Sequence, residues 1–271
     1  MYQLTCSIVL FNSDKQVLQQ AIDSVLACTL PLRLFLVDNS PADTLKTVAA
    51  NERVEYIFND ANVGYGAGHN IAIRRAMPVT KYHLVLNPDV SFNNGTLETI
   101  YNFMEANPGT GHVMPTIKYP DGSLQYTCKL LPTPFDLIFR RFLPAALIKQ
   151  RTAYFEMHSS GYNKIMEVPY LSGCFMFLRI AALEKAGLFD ECFFMYPEDI
   201  DLTRRIRRFY KTIFFPGAEI VHRYERGSYK NLDLLWIHIT NMIKYFNKWG
   251  WVFDKERRQV NRQTLSQFNT V

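Results

Sequence analysis

Tyr82-His83-Leu84-Val85-Leu86-Asn87-Pro88-Asp89-Val90 opens as a short apolar run of strand formers and breaks off in Asn-Pro-Asp. Proline cannot donate to a ladder and pushes the residue before it out of the helical region. The stretch therefore reads as a buried strand that carries Asn87 and Asp89 to a turn at its carboxyl end. In open α/β sheets that edge is where ligands bind. A carboxylate there suits a hard divalent cation that also holds phosphate oxygens. A plain turn with a solvated aspartate is the simpler reading of these nine residues alone.

The chain on either side alternates in period. Leu4 to Phe11 reads as a strand, and Ser13-Asp14-Lys15-Gln16 has the form of a capping box. Leu18, Ala21, Ile22, Val25 and Leu26 follow at helical spacing, and Pro31 stops that helix. Leu34 to Val37 is a second strand ending in Asp38-Asn39-Ser40, and a helix over Pro41 to Asn51 leads to a third strand, Val54 to Phe58. Strand, helix, strand, helix, strand predicts right-handed βαβ units and a Rossmann-like sheet. Asn62-Val63-Gly64-Tyr65-Gly66-Ala67-Gly68-His69-Asn70 then reads as a glycine loop before a helix over Ile71 to Met77. Such a loop either lets a phosphate approach backbone N–H groups or is a flexible turn.

Beyond the opening stretch, Asn93 to Asn107 reads as a helix, Val113 to Pro115 as a strand, and Tyr119 to Ser123 as a turn. Leu130 to Arg151 interleaves large apolar residues with Arg140, Arg141, Lys149 and Arg151. That segment either lies on an anionic membrane surface or packs on the sheet with a basic outer face. Tyr170 to Leu178 is an apolar strand with a Ser172-Gly173 step, and Ile180 to Ala186 a helix ended by Gly187. At Pro197-Glu198-Asp199-Ile200-Asp201, proline and acids suit the first turn of a helix. Helical spacing puts Asp199 on the face of Leu202 and Ile206, pointing inward, and Asp201 with Arg204, Arg205 and Arg208, pointing to solvent. Lys211 to Pro216 and Glu219 to Arg223 read as two last strands, the second bringing His222 to the Asp89 edge. A helix over Leu232 to Trp251 follows, and between Arg223 and Arg262 nine basic residues, Arg226 and Lys230 among them, face four acids.

Bulk properties narrow the classes. The 271 residues, with 20 Phe and 15 Tyr, can bury a large core, and a net charge of +5 points to acidic partners without the density of a nucleic-acid site. Five cysteines in no C-x-x-C spacing read as reduced, mostly core residues of a cytosolic protein. The first residues show no basic-then-apolar leader, and no 18-residue uncharged apolar run exists.

Taken together these motifs resemble glycosyltransferase family two, in its bacterial rhamnosyltransferase-like branch. The resemblance covers about Leu4 to Tyr224, with the motifs in the family's order. It implies a GT-A fold: α/β, a mixed, mostly parallel central sheet flanked by helices, with a C-terminal helical extension. Residues 1–224 would be the catalytic domain, with a nucleotide-sugar half to about 115 and an acceptor half to 224; 225–271 would be a basic helical extension. By the same resemblance Leu10, Asn12, Asp38, Asn39, Asn62, Gly64, Gly66, Asn70 and Asn87 would bind the nucleotide sugar. Asp89 and His222 would hold Mg2+ or Mn2+, Asn87 standing where the family usually has a first aspartate. Ser172, Gly173 and Glu198 would meet the acceptor, with Asp199 as catalytic base beside Glu198.

The function so implied is inverting, metal-dependent transfer of a sugar, rhamnose from dTDP-rhamnose, to a hydroxyl of a growing lipid-linked polysaccharide of O-antigen or capsule type. It places the protein in the cytoplasm, at the inner face of the cell membrane, with no nucleic-acid partner. The competing readings are a sugar nucleotidylyltransferase and a binding protein that holds a nucleotide sugar without chemistry. The first would need a basic glycine-rich signature after the first strand, where Asn12-Ser13-Asp14-Lys15 stands. The second has no use for an inward-facing Asp199.

Overall fold

A computed structural model describes residues 1–223 and 232–268, with backbone only for 141, 142, 232 and 233. Arg226 and Lys230 of the basic tail, and the side chain of Arg141, lie outside what is described.

The amino-terminal half is β1 (Leu4–Leu10), α1 (Lys15–Leu26), β2 (Leu32–Asp38), β3 (Val54–Phe58), α2 (Tyr65–Ala76) and β4 (Tyr82–Leu86). β3, β2, β1 and β4 lie side by side and parallel, as the alternation predicts. Leu18, Ala21, Ile22 and Val25 are the buried stripe of α1. Its N-cap is Asp14 rather than Ser13, the Asp14 carboxylate accepting from the Gln16 and Val17 N–H groups. The helix expected over Pro41 to Asn51 is only a 3-10 turn, Lys46–Ala49; this short polar crossover has too few apolar positions to anchor a longer helix.

After β4 come β5 (Val90–Ser91), α3 (Thr96–Ala106), β6 (Thr110–Lys118), α4 (Pro134–Leu137), α5 (Ala145–Phe155), β7 (Met166–Glu167), β8 (Phe175–Arg179), α6 (Ile180–Ala186), α7 (Glu198–Ile206) and β9 (Lys211–His222). Among the described residues nine strands form one sheet in the order β3-β2-β1-β4-β8-β6-β9-β5, with β7 also on β9. β8 runs antiparallel to β4 and to β6, so the sheet is mixed.

Three boundaries differ from the sequence reading. The two last expected strands are one, β9, whose register on β6 jumps from Phe215 to Glu219; the ladder resumes past the Pro216-Gly217 bulge. Tyr170 to Cys174 is an approach to β8, not part of it. Leu130 to Arg151 is broken by Pro134 and Pro144 into short pieces. Its described arginines are tied inward, Arg140 to Glu156 at 3.2 Å and Arg151 to Asp136 at 2.7 Å.

The carboxyl-terminal helices are α8 (Leu232–Trp249) and α9 (Lys255–Ser266). Met242, Tyr245, Phe246 and Val260 from them form one core with Leu131, Phe193 and Ile200, so the extension is packed against the rest of the molecule. No described helix is long and apolar enough to cross a membrane. The cysteines are all free, four buried and Cys192 exposed.

Candidate active site

The site is built on the carboxyl ends of β1, β2 and β4 and on the amino end of α7. β4 stops at Leu86 because Pro88 cannot continue the ladder. Asn87 is held by its N–H, which donates to Cys174 O at 2.9 Å. β5 then pairs Val90 with His222 on β9. That pairing brings Asp89 Oδ1 to 3.5 Å from His222 Nε2. Asp89 Oδ1 is buried and accepts no hydrogen bond.

Gln125 holds the other side of the imidazole: its Oε1 lies 3.1 Å from His222 Nδ1 and its Nε2 donates to His222 O at 2.7 Å. Gln125 thus orients the ring so that Nε2 is turned to Asp89; with no cation present Nε2 also carries a proton, and a cation between the two would displace it. Burial pulls the His222 pKa down, yet the neighbouring Cys174 and Asp89 outweigh it and lift it from 6.5 to about 10.

The second pair of acids begins α7. Glu198 is 4% exposed and its Oε2 has no partner. Burial, then the charge of Asp199, pushes its pKa up from 4.5 to about 8. Asp199 is also raised by burial. Four things oppose that rise: the Gly173 N–H on Oδ2 at 2.9 Å, the Ile200 N–H on Oδ1 at 2.8 Å, the nearby charge of Lys129, and the backbone N–H of Asp199 itself. Of the two, Asp199 is therefore the carboxylate that ionises first.

Ser172-Gly173-Cys174 joins the pairs. Gly173 N–H holds Asp199, Cys174 O holds Asn87, and the Cys174 side chain adjoins His222. Tyr65 sits between them, its hydroxyl donating to Gly173 O at 2.7 Å and lying 3.1 Å from Asn87 Oδ1. Burial and the charges of Glu198, Asp199 and Asp89 all raise the Tyr65 pKa. Ser172 is half-buried, with its hydroxyl 3.4 Å from Cys174 Sγ. Tyr65, Gln125 and Lys129 escape the sequence reading because nothing local to them marks a site; only the spacing of Tyr65 between two glycines offered a hint.

The amino-terminal wall is knit from residues expected to bind the nucleotide. Asp38 is fully buried, with Oδ1 accepting from Ser40 N–H at 2.9 Å and Oδ2 from the Tyr56 hydroxyl at 2.5 Å. Asn39 donates to Gly64 O and accepts from Asn59. Asn12 is exposed, and its N–H donates to Ser40 Oγ. Asn62 is exposed, with its carboxamide oxygen on Gly64 N–H at 3.1 Å.

Several of these residues sit in surroundings that the sequence does not announce. Leu10 is fully buried in the core and offers only its carbonyl, which accepts from Asn39 N–H. Asn70 is 1% exposed; its amide donates to Phe189 O and Glu191 and accepts from Phe189 N–H, so it clamps that loop. The glycines are not a loop. Gly66 and Gly68 lie inside α2, which starts at Tyr65. A Cβ on Gly66 would come 2.9 Å from Phe189 Cβ, and on Gly68 2.9 Å from Val9 Cγ2, so these glycines serve close packing. Gly64 has φ +90° and faces Phe194 O, where a Cβ would clash at 2.3 Å.

Asp201 is the largest correction. It is fully buried, not solvated, and binds Arg205 Nε at 2.8 Å, Trp249 Nε1 at 2.8 Å and Lys248 Nζ at 2.7 Å. α8 covers the face that helical spacing assigned to water.

The sequence pattern described as Glycosyl transferase family 2 matches residues 5–186. An N-acetylglucosaminyl-diphospho-decaprenol L-rhamnosyltransferase of Mycobacterium tuberculosis is 28% identical over 213 residues, 73% of this chain and 68% of that protein. The rhamnosyltransferase WbbL of Escherichia coli K12 is 22% identical over 250 residues, 88% of this chain and 90% of its own. Among solved structures, GalNAc-T7 with UDP, GalNAc and Mn2+ superposes with a TM-score of 0.64 at 14% identity, over 83% of this chain and 43% of that one. Staphylococcus aureus TarS 1-349 superposes with a TM-score of 0.59 at 16% identity, over 97% of this chain and 70% of that one. At these identities the structural likeness speaks for the fold, which is GT-A.

Proposed function

The chain belongs to glycosyl transferase family 2, and from that premise we propose that it transfers L-rhamnose from dTDP-rhamnose, with inversion, to a hydroxyl of a lipid-linked saccharide in cell-surface polysaccharide assembly, at the cytoplasmic face of the membrane. Membership in the family replaces the nucleotidylyltransferase alternative. The sugar and the lipid-linked acceptor rest on relatives named rhamnosyltransferases, one of which is named for a diphospho-decaprenol acceptor. The observation that carries the reading is the Ser172-Gly173-Cys174 segment, which sets an inward carboxylate, Asp199, beside the Asp89–His222 pair.

The donor set fits a divalent cation. A buried carboxylate oxygen that accepts no hydrogen bond, and an imidazole Nε2 that Gln125 turns toward it at 3.5 Å, are hard and borderline ligands of the kind Mg2+ and Mn2+ accept once the Nε2 proton is displaced. Asp89 and His222 would hold it, and it would neutralise the charge that develops on the departing nucleoside diphosphate. Among the described residues no cluster of three or more His, Cys, Asp or Glu could hold a metal ion by itself, so the donor's own phosphate oxygens would complete the shell.

The protein's own groups do the rest. The acceptor hydroxyl oxygen attacks the anomeric carbon, the bond from that carbon to the diphosphate breaks, and Asp199 takes the hydroxyl proton. Each Asp199 oxygen accepts one N–H bond and keeps a lone pair for that proton. Glu198, with its pKa near 8, is protonated at neutral pH; it does not compete as a base and can orient the acceptor by donating a hydrogen bond. Residues to about 115 would serve the donor and 116–224 the acceptor.

The test is transfer from dTDP-rhamnose, with UDP-sugars as comparison, to a lipid-linked acceptor. Asp199→Asn is expected to lower turnover by roughly 10²-fold or more, the scale of general-base catalysis, with donor affinity little changed. Asp89→Ala or excess EDTA is expected to abolish transfer. Full activity with chelator would remove the metal role, and near-normal turnover of Asp199→Asn would remove the base.

A further inference from the structure

The turn between α8 and α9 carries three consecutive apolar side chains at the surface: Trp251, whose ring lies 5.3 Å from that of Phe246, is 38% exposed, Val252 65% and Phe253 87%. Upstream on α8, Trp236 and Ile243 are exposed at 68% and 39%. They lie seven residues apart, two helical turns, and so share a face. Asn247 and Trp251 continue that line, joined by the Trp251 Nε1 bond to Asn247 Oδ1 at 2.8 Å. The opposite face of α8 is core. From Trp236 to Asn247 the outward line runs about 17 Å at 1.5 Å per residue, and past the end of the helix it meets an aromatic tip. Single exposed apolar residues need no explanation, but a contiguous run with two large aromatic rings does.

Charge says what covers it. Asp254 is buried under Arg204, and Glu256 binds Arg204 and Arg208, so both are turned inward. Lys255, Arg258 and Arg262 are exposed along α9, and Arg258 reaches the tip, its Nη2 donating to Val252 O at 3.4 Å. The face is therefore apolar at its end and cationic at its rim. A second copy of the chain across a twofold axis would bring those cations against themselves. An anionic bilayer suits both features: aromatic rings settle at headgroup depth while Lys and Arg meet lipid phosphates.

We propose that the α8 stripe and the Trp251–Phe253 tip dock this protein on anionic lipid bilayers, with the tip inserted to the headgroup boundary. The position favours this. Asn241 of α8 donates to Met195 O, and Trp249 to Asp201, so the docked helix also braces the loop and helix that carry Glu198 and Asp199. Docking does not depend on the transfer reading, though it would bring that site to a lipid-linked acceptor.

The experiment is flotation of the intact protein with POPC vesicles and with POPC vesicles containing POPG, together with tryptophan emission. Wild type is expected to bind the POPG vesicles, more weakly at high salt, with a blue shift. Val252→Ser with Phe253→Ser, both exposed and so leaving the melting temperature unchanged, should weaken binding about tenfold or more, the scale of apolar area withheld from the bilayer. Lys255→Glu with Arg262→Glu should weaken it at low salt and hardly at high salt. No binding of wild type to POPG vesicles overturns the proposal, as does equal binding by the serine variant. A concentration-dependent dimer in light scattering that the serine variant abolishes also overturns it and assigns the face to self-association. Transfer to a soluble acceptor should be equal in wild type and the serine variant; if both are inactive, the transfer reading fails while the vesicle result still decides docking.

Discussion

Gly173 shows how little room surrounds the proposed base. Its N–H holds Asp199 Oδ2, and a Cβ on it would lie 3.1 Å from Asp199 Cβ and 3.3 Å from Oδ2. Gly173→Ala should push the carboxylate off its place and lower turnover about tenfold or more, with donor binding retained; steady-state kinetics at saturating donor would show it. Gln125 makes a comparable case for the metal pair. Gln125→Leu removes the acceptor that fixes His222 and should weaken Mn2+ binding about 10–100-fold, read by electron paramagnetic resonance titration with a nucleoside diphosphate present. Gln125→Glu keeps an oxygen toward Nδ1 and should retain most of the affinity. Equal Mn2+ affinity in the leucine variant would mean that Gln125 only fills space. Asp89, Asp199 and His222 stand out in the sequence because each ends a strand or starts a helix, whereas Gln125 and Tyr65 act through partners 97 and 108 residues away.

At the scale of the element, α7 has two ends with different work. Its first turn presents Glu198 and Asp199, and its second half anchors the extension. Arg204, 3% exposed, donates to both Asp254 oxygens at 2.8 Å, binds Glu256, and stacks 4.1 Å from the Trp249 ring centroid. Arg204→Ala would strand Asp254 as a buried charge and should cost roughly 3–5 kcal/mol, measured by urea unfolding; a loss under 1 kcal/mol would mean that water replaces the guanidinium. Helical spacing correctly grouped Asp201 with these arginines. It sent them to solvent because periodicity names a face without naming what covers it.

For the whole molecule, the acids of the site oppose stability as pH rises. The Glu198 carboxyl titrates near 4.5 in an unfolded chain and near 8 in the fold. The folded state thus holds a proton that the unfolded state has released between those values, and stability falls with rising pH across that window. The stabilisation is complete below about 4.5 and gone above about 8. Glu198→Gln removes this carboxyl's share of the dependence and leaves that of Asp199, so its melting temperature should match wild type near pH 4.5 and exceed it by roughly 10 °C at pH 8.5. Calorimetry at the two pH values tests this, and an equal gap at both would place the proton elsewhere.

Most strands and helices along the chain, the parallel βαβ start, and the chain positions of Asp89, Asp199 and His222 were legible in the sequence, because hydrophobic period and proline act locally. The stripe of α1 and the end of β4 at Pro88 follow from neighbours a few residues apart. Tertiary structure alone decided the rest. The glycines of α2 read as a loop until β1 and Phe189 are packed against them. Asn70 reads as part of a loop until α2 buries it and the Phe189 backbone takes its amide. Asp201 looks solvated until α8, 48 residues on, closes over it. In each case the deciding group is distant in the chain, and only burial shows whether a polar side chain faces water, a partner or a substrate.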